Sequence, residues 1–135
     1  MSAEILRSAD AALRFGEWGP AYLSTTDAAA FGIVVLRPGD EFDNHLHEQH
    51  TESFVVLEGR AEFWIDRAQP VVASAGEILH AEPNEEHFVR NPFEETFRAI
   101  FVKSPWVEGD KVDKPWTPDA SATDPQPHPI ERTRP

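Results

Sequence analysis

Between Ala28 and Ser104 the chain nowhere sustains an apolar period for three helical turns. It reads instead as a succession of short runs, "AFGIVVLRPGD", "EFDNHLH", "ESFVVLEG", "RAEFWID", "PVVASAGE", "EILHAEPN", "HFVRNP" and "TFRAIFVKS". Each is strand length, rich in Val, Ile, Phe and Trp, and bounded by Gly, Pro, Asn or Asp. About eight strands at such short spacing predict an antiparallel all-β sandwich or barrel. The punctuation agrees: Gly59 sits between two apolar runs as a tight hairpin requires, and Pro38-Gly39 and Pro83-Asn84 are turn dipeptides.

The 135 residues suffice for one core and are too few for two. Ahead of the strands, residues 3 to 13 place Ile5, Leu6, Ala9, Ala12 and Leu13 on one helical face, which predicts a short leading helix within an N-terminal arm of residues 1–27. The barrel is expected over residues 28–104. Seven of the twelve prolines fall at or beyond Pro105, so residues 105–135 are expected to form an extended Pro-rich tail.

Charge narrows the partners. Twenty-four Asp and Glu against twelve Lys and Arg give a formal charge of −12, which repels phosphate backbones and anionic lipid. Nucleic-acid and membrane partners are therefore not expected. The amino terminus carries Glu4, Arg7 and Asp10 without an apolar stretch, and a cytoplasmic location is the expectation. Cysteine is absent, leaving His and carboxylate as the strong metal ligands available.

Three of the six histidines, His45, His47 and His50, fall within six residues. On a strand His45 and His47 leave the same face roughly 7 Å apart, close enough for both rings to reach one ion at about 2.1 Å. Glu52 follows after four residues and offers a hard anionic oxygen, with Phe54 and Val56 sharing its parity. A fourth ligand is expected from elsewhere, and His87, with Val89 and Asn91 on its side of "EEHFVRN", is the candidate. Inward residues of facing strands meet in a small barrel, so three His and one Glu can share a cation.

These residues resemble the signature of the cupin superfamily, in its small single-barrel form. Gly39, His45, His47, Glu52 and Gly59 meet every interval of the family's first motif. Gly76, His87 and Asn91 keep the outer spacing of its second motif, whereas the inner turn departs, with Pro83 one place late and Glu85 near where glycine is expected. The resemblance implies a small antiparallel β-barrel of the double-stranded β-helix or jelly-roll type. It also implies one divalent transition metal ion per subunit (Fe, Mn, Ni, Zn or Co), a small-molecule substrate and a homodimer. Three reaction classes follow from it: dioxygen-dependent oxidation of a chelating enol or diol, non-redox isomerisation, cyclisation or lysis, and ligand binding without turnover. Oxidation is preferred because the lumen joins an apolar lining to a redox-permissive ligand set, and no Lys or Arg is evident in the metal-bearing strands to anchor a phosphate.

Other residues have competing readings. "HEQH" at His47 to His50 is one residue short of the zinc-protease spacing. His50 reads as a solvated loop residue. His80, two residues from Ile78, reads either as a cavity-facing acid or base beside Glu52 or as a hydrogen-bonded rim histidine. Phe54, Val56, Phe63, Val89, Asn91 and Phe101 are expected around the substrate, although the aromatics are core first. Trp64 shares a face with Glu62 and Asp66, so it is expected under another subunit or under the tail.

Overall fold

Alternating burial governs the architecture of the computed structural model, which describes residues 3–119. Among the described residues the strands are β1 (Gly19–Thr25), β2 (Ala30–Leu36), β3 (Glu41–Leu46), β4 (Thr51–Glu58) and β5 (Arg60–Ile65), then β6 (Val71–Ser74), β7 (Ile78–Ala81), β8 (His87–Arg90), β9 (Phe97–Ser104) and β10 (Val112–Asp113). They form two five-stranded sheets, ordered β1-β2-β9-β4-β7 and β10-β3-β8-β5-β6. Every pairing is antiparallel. The antiparallel all-β class predicted from the runs and the jelly roll implied by the resemblance are present, but the sheets are not closed into a hydrogen-bonded barrel; side chains join them instead.

The packing follows the two-residue period of a strand. In β9 Phe97, Ala99 and Phe101 are buried, and in β4 Glu52, Phe54 and Val56 are. Ala61, Phe63, Ala73 and Val89 meet them from the other sheet. Phe63 is the keystone, with its ring 5.0 Å from Phe54 and 6.1 Å from Phe97. Fully burying one such ring is worth about 1.5–3 kcal/mol.

The amino-terminal expectation fails in two respects. In place of a helix over residues 3 to 13 there is a single 3-10 turn at Ser8–Asp10, with no side-chain cap. Ile5 and Leu6 remain 74% and 46% exposed, so no surface accepts the apolar face that was to stabilise a helix. Strand structure also begins earlier than the sequence runs suggested: β1 precedes Ala28 and tolerates Gly19 and Pro20 because it is an edge strand, pairing with β2 alone.

Residues 105–119 turn back over the second sheet. β10 pairs with β3 through Val112↔Leu46 and Asp113↔His45. Trp116 then packs against Trp64 at 6.1 Å and Phe88 at 6.2 Å, so Trp64 lies under this segment. The expected tail beyond residue 119, with His128, lies outside the described residues. Among the described residues no helix is long and apolar enough to cross a membrane.

The β4–β5 connection turns on Gly59, at φ 67°, where an added Cβ would run into the Thr96 carbonyl oxygen. Both the left-handed conformation and the close approach exclude a side chain. Gly59→Ala is expected to lower stability by about 1–3 kcal/mol; a thermal or urea unfolding midpoint equal to that of the unaltered protein would refute this.

Candidate metal centre

His45 and His87 are cross-strand partners of β3 and β8, with ring centroids 4.3 Å apart. Glu52 projects from β4 in the opposite sheet, and His47 lies just past the end of β3. The four are buried, and one ligand atom from each lies within 4.8 Å of the others. The cluster thus spans both sheets, and the spacing is that of side chains able to hold one ion.

A bulge makes this convergence compatible with the rest of the wall. Phe42 pairs with Val89 and His45 with His87, so Asp43 and Asn44 together oppose Phe88. Residues three apart on a regular strand face opposite sides; the bulge lets Phe42 and His45 both face inward. The displaced Asn44 is fixed by donating to Glu86 Oε1 at 2.7 Å and to the Lys114 carbonyl at 2.9 Å.

Backbone carbonyls orient all three rings. His45 Nδ1 lies 2.7 Å from the Asp43 carbonyl, His87 Nδ1 lies 3.2 Å from that of Glu85, and His47 Nδ1 bonds that of Asp110. Since a carbonyl only accepts, each Nδ1 carries the proton and each Nε2 is left with a lone pair. Yet His47 Nε2 and His87 Nε2 lie 2.9 and 3.1 Å from Glu52 Oε1. Acceptors facing acceptors in a dry site require a cation among them, a proton or a metal ion, and the donor set fits a divalent ion.

The electrostatics agree. Burial, followed by the nearby charge of His87, pushes His45 down to about 2, so its ring stays neutral. Burial pushes the Glu52 carboxyl up, but His47 and His87, once a proton lies between their rings and the carboxylate, and the charge of Lys103 outweigh it and hold Glu52 well below the usual carboxylate range. Asp110 steadies the loop beyond β3, its carboxylate accepting the N–H groups of Glu48, Gln49 and His50 at 2.7, 2.9 and 3.1 Å. Burial opposes that ionisation, and these three bonds overcome it.

The inner turn of the second motif closes without glycine. Glu85 N–H donates to the Glu82 carbonyl at 3.0 Å, and Asn84 takes the positive φ of 71° after Pro83. Asn tolerates that region better than most residues.

A cavity of about 210 Å³ opens beside the cluster. Phe54, Val89 and Phe101 line it, whereas Val56, Phe63 and Asn91 do not. Val56 and Phe63 lie deeper in the core. Asn91 is fully buried and donates to the carbonyls of Leu36 at 3.0 Å and Glu95 at 2.7 Å, tying turns together. His80 is not at the cavity: it is exposed and its Nδ1 bonds Ser53 Oγ at 2.7 Å on the outer face, because Leu79 and Ala81 take the inward parity of β7. His50, read as solvated, is instead 1% exposed and lines the cavity.

Sequence reasoning missed other lining residues. Lys103 continues the Phe97, Ala99, Phe101 alternation of β9, a signal that was available. Tyr22 belongs to the unforeseen β1, and Trp106 and Lys111 to a segment read as tail.

Comparison with known proteins places these features in context. The family profile described as "Cupin domain" matches residues 32–103. A 52-residue stretch is 40% identical to quercetin 2,3-dioxygenase of Bacillus subtilis, covering 38% of this chain and 15% of that enzyme. This chain therefore matches only a small part of that relative's length. Among solved structures, a conserved double-stranded β-helix protein from Klebsiella pneumoniae superposes with a TM-score of 0.72 at 23% identity, over 84% of this chain and 100% of that one. The polyketide cyclase RemF from Streptomyces resistomycificus also gives 0.72, at 17% identity, over 93% and 95% of the two chains. At these identities the structural likenesses speak to the fold alone.

The depressed pKa of His45 sets a pH dependence. Unfolded His45 takes a proton below about 6.5, whereas the folded ring does not until about 2. Acid therefore favours the unfolded chain across that window, and the lowered Glu52 adds to the effect in its lower part. The metal-free protein is expected to lose melting temperature as pH falls from 7 to 5. A flat profile, measured by circular dichroism, would contradict this electrostatic account.

Proposed function

The chain belongs to the Cupin domain family, and from that membership we propose that it is a metal-dependent enzyme performing dioxygenase-like oxidation of a small chelating enol or diol. The observation that carries this reading is the convergence of His47 Nε2 and His87 Nε2 on the Glu52 carboxylate, with His45 in the same cluster, beside a cavity of small-molecule size. Three neutral imidazoles and one carboxylate leave a divalent ion about one net positive charge, and such an ion supplies Lewis acidity and a site for dioxygen or a chelating oxygen pair.

The chain's own residues divide the remaining work. His45, His47, Glu52 and His87 serve as ligands, their Nδ1 bonds holding the rings in place. Phe54, Val89 and Phe101 bind the apolar body and keep water from the reacting oxygens. Glu52 would serve first as ligand and would also be the base of the site. The shared segment with quercetin 2,3-dioxygenase supports oxidation over the non-redox classes, as does a ligand set that accepts redox-active ions.

Oxygen uptake tests the proposal. Protein reloaded with Fe(II), Mn(II), Ni(II), Co(II) or Zn(II) is offered catechols, flavonols and enolisable diketones, and consumption of about one dioxygen per substrate is expected with at least one redox-active ion. Turnover without oxygen consumption would instead assign isomerase, cyclase or lyase chemistry, and binding without turnover a binding module. His47→Ala is expected to reduce metal content from about one ion per chain to background by elemental analysis; an unchanged content would remove His47 from the ligand set.

A further inference from the structure

In a chain with twice as many acidic as basic residues, three cations line one cavity: Arg14, Lys103 and Lys111. Lys111 is paired with Asp113 at 3.3 Å. Arg14 lies over the Phe42 ring at 5.4 Å, and neither it nor Lys103 makes an ion pair among the described residues. Lys103 stands opposite Glu52 across the β4–β9 ladder, so a structural reading would have it balance that carboxylate. A divalent ion on the cluster alters the sum: Glu52 then serves the ion, and the cavity is left with an uncompensated positive charge. Such a charge excess favours an occupant carrying the opposite sign.

Unused hydrogen-bond donors lie on the same wall. Lys103 Nζ donates one proton to the Tyr22 hydroxyl at 2.7 Å, which leaves two ammonium protons and the phenol proton available. The His50 ring lines the same cavity, but its two nitrogens are covered, with Nδ1 3.5 Å from Asp110 Oδ2. Aromatic rings frame these donors. Trp106 stacks on His50 at 5.8 Å with 8° between planes and meets Tyr22 edge-on at 5.4 Å, while Lys103 lies over the Phe101 ring at 5.4 Å. Space for the Phe101 ring exists because position 32 is glycine, where a Cβ would collide with it.

We propose that the cavity selects a small aromatic or conjugated carboxylic acid, its carboxylate held by Lys103 and the Tyr22 hydroxyl, with its oxygen-bearing end toward the His45, His47, Glu52 and His87 cluster. The orientation toward the cluster and the release of Lys103 from Glu52 rest on the metal-dependent reading above; the donors of Lys103 and Tyr22 are present without it. One ammonium with a neighbouring hydroxyl matches a planar group of single charge. A phosphate dianion is better served by a bidentate guanidinium or a helix N-terminus. The described residues place no helix there, and the one guanidinium lining the cavity lies over Phe42.

Matched probes separate charge from shape. Benzoate, benzamide and phenylphosphonate are titrated into the full-length protein, both metal-free and loaded with Zn(II), with binding read by tryptophan fluorescence and calorimetry. Benzoate is expected to bind roughly tenfold tighter than benzamide. Lys103→Met should erase the preference, Lys103→Arg should keep part of it, and Tyr22→Phe, which removes only a hydroxyl, should reduce it about threefold. Equal affinity of native protein for benzoate and benzamide, no benzoate binding, a preference that survives Lys103→Met, or tighter binding of phenylphosphonate would overturn the proposal. A benzoate preference in metal-free protein that fails to retain Zn(II) would leave the anchor standing and remove the metal-dependent reading instead.

Discussion

Four electron-pair donors turned toward one another, out of contact with water, are the constraint around which this molecule is arranged. Carbonyls at Asp43, Glu85 and Asp110 hold the protons of three imidazoles on Nδ1, so the Nε2 lone pairs of His47 and His87 face the Glu52 carboxylate, with His45 in the same cluster. Such a site is costly without a positive charge among the donors. Its ligands come from both sheets and from the loop beyond β3, so a cation seated there cross-links the jelly roll as well as endowing it with chemistry.

The surrounding structure divides by depth. Below the cluster the inward parity is filled by Phe63, Phe97, Val56 and Ala99, which make a dry packed floor. Above it the same strands change character: β9 passes from Phe101 to Lys103 and β4 from Phe54 to Glu52. The two-residue period carries one row of side chains from core to site. This couples rigidity of the floor to placement of the polar groups above.

The carboxy-terminal segment belongs to the same arrangement. Asp110 fixes the loop beyond β3 through three N–H groups and a ring nitrogen, while Trp106 and Lys111 line the cavity. Farther along, Trp116 covers Trp64 on the outer face, and the Arg90 guanidinium lies over Trp64 at 5.5 Å. A stretch whose proline content argues against regular structure is ordered here by tertiary contacts.

The sequence by itself determined the strand-rich class, the Gly59 hairpin and the grouping of His45, His47 and Glu52, because these depend on near-neighbour spacing and backbone period. Parity also pointed from Phe54 and Phe101 to the interior. It left the direction of His80 open, because that depends on how β7 registers against β4, and it took His50 for a solvated residue because burial by Trp106 and Asp110 comes from some sixty residues away. The bulge at Asp43 and Asn44, the departure from a closed barrel and the Lys103–Tyr22 pair were likewise decided only in three dimensions. Local periodicity fixes which residues can share a face; pairing between distant strands fixes which faces meet, and the site exists only where they do.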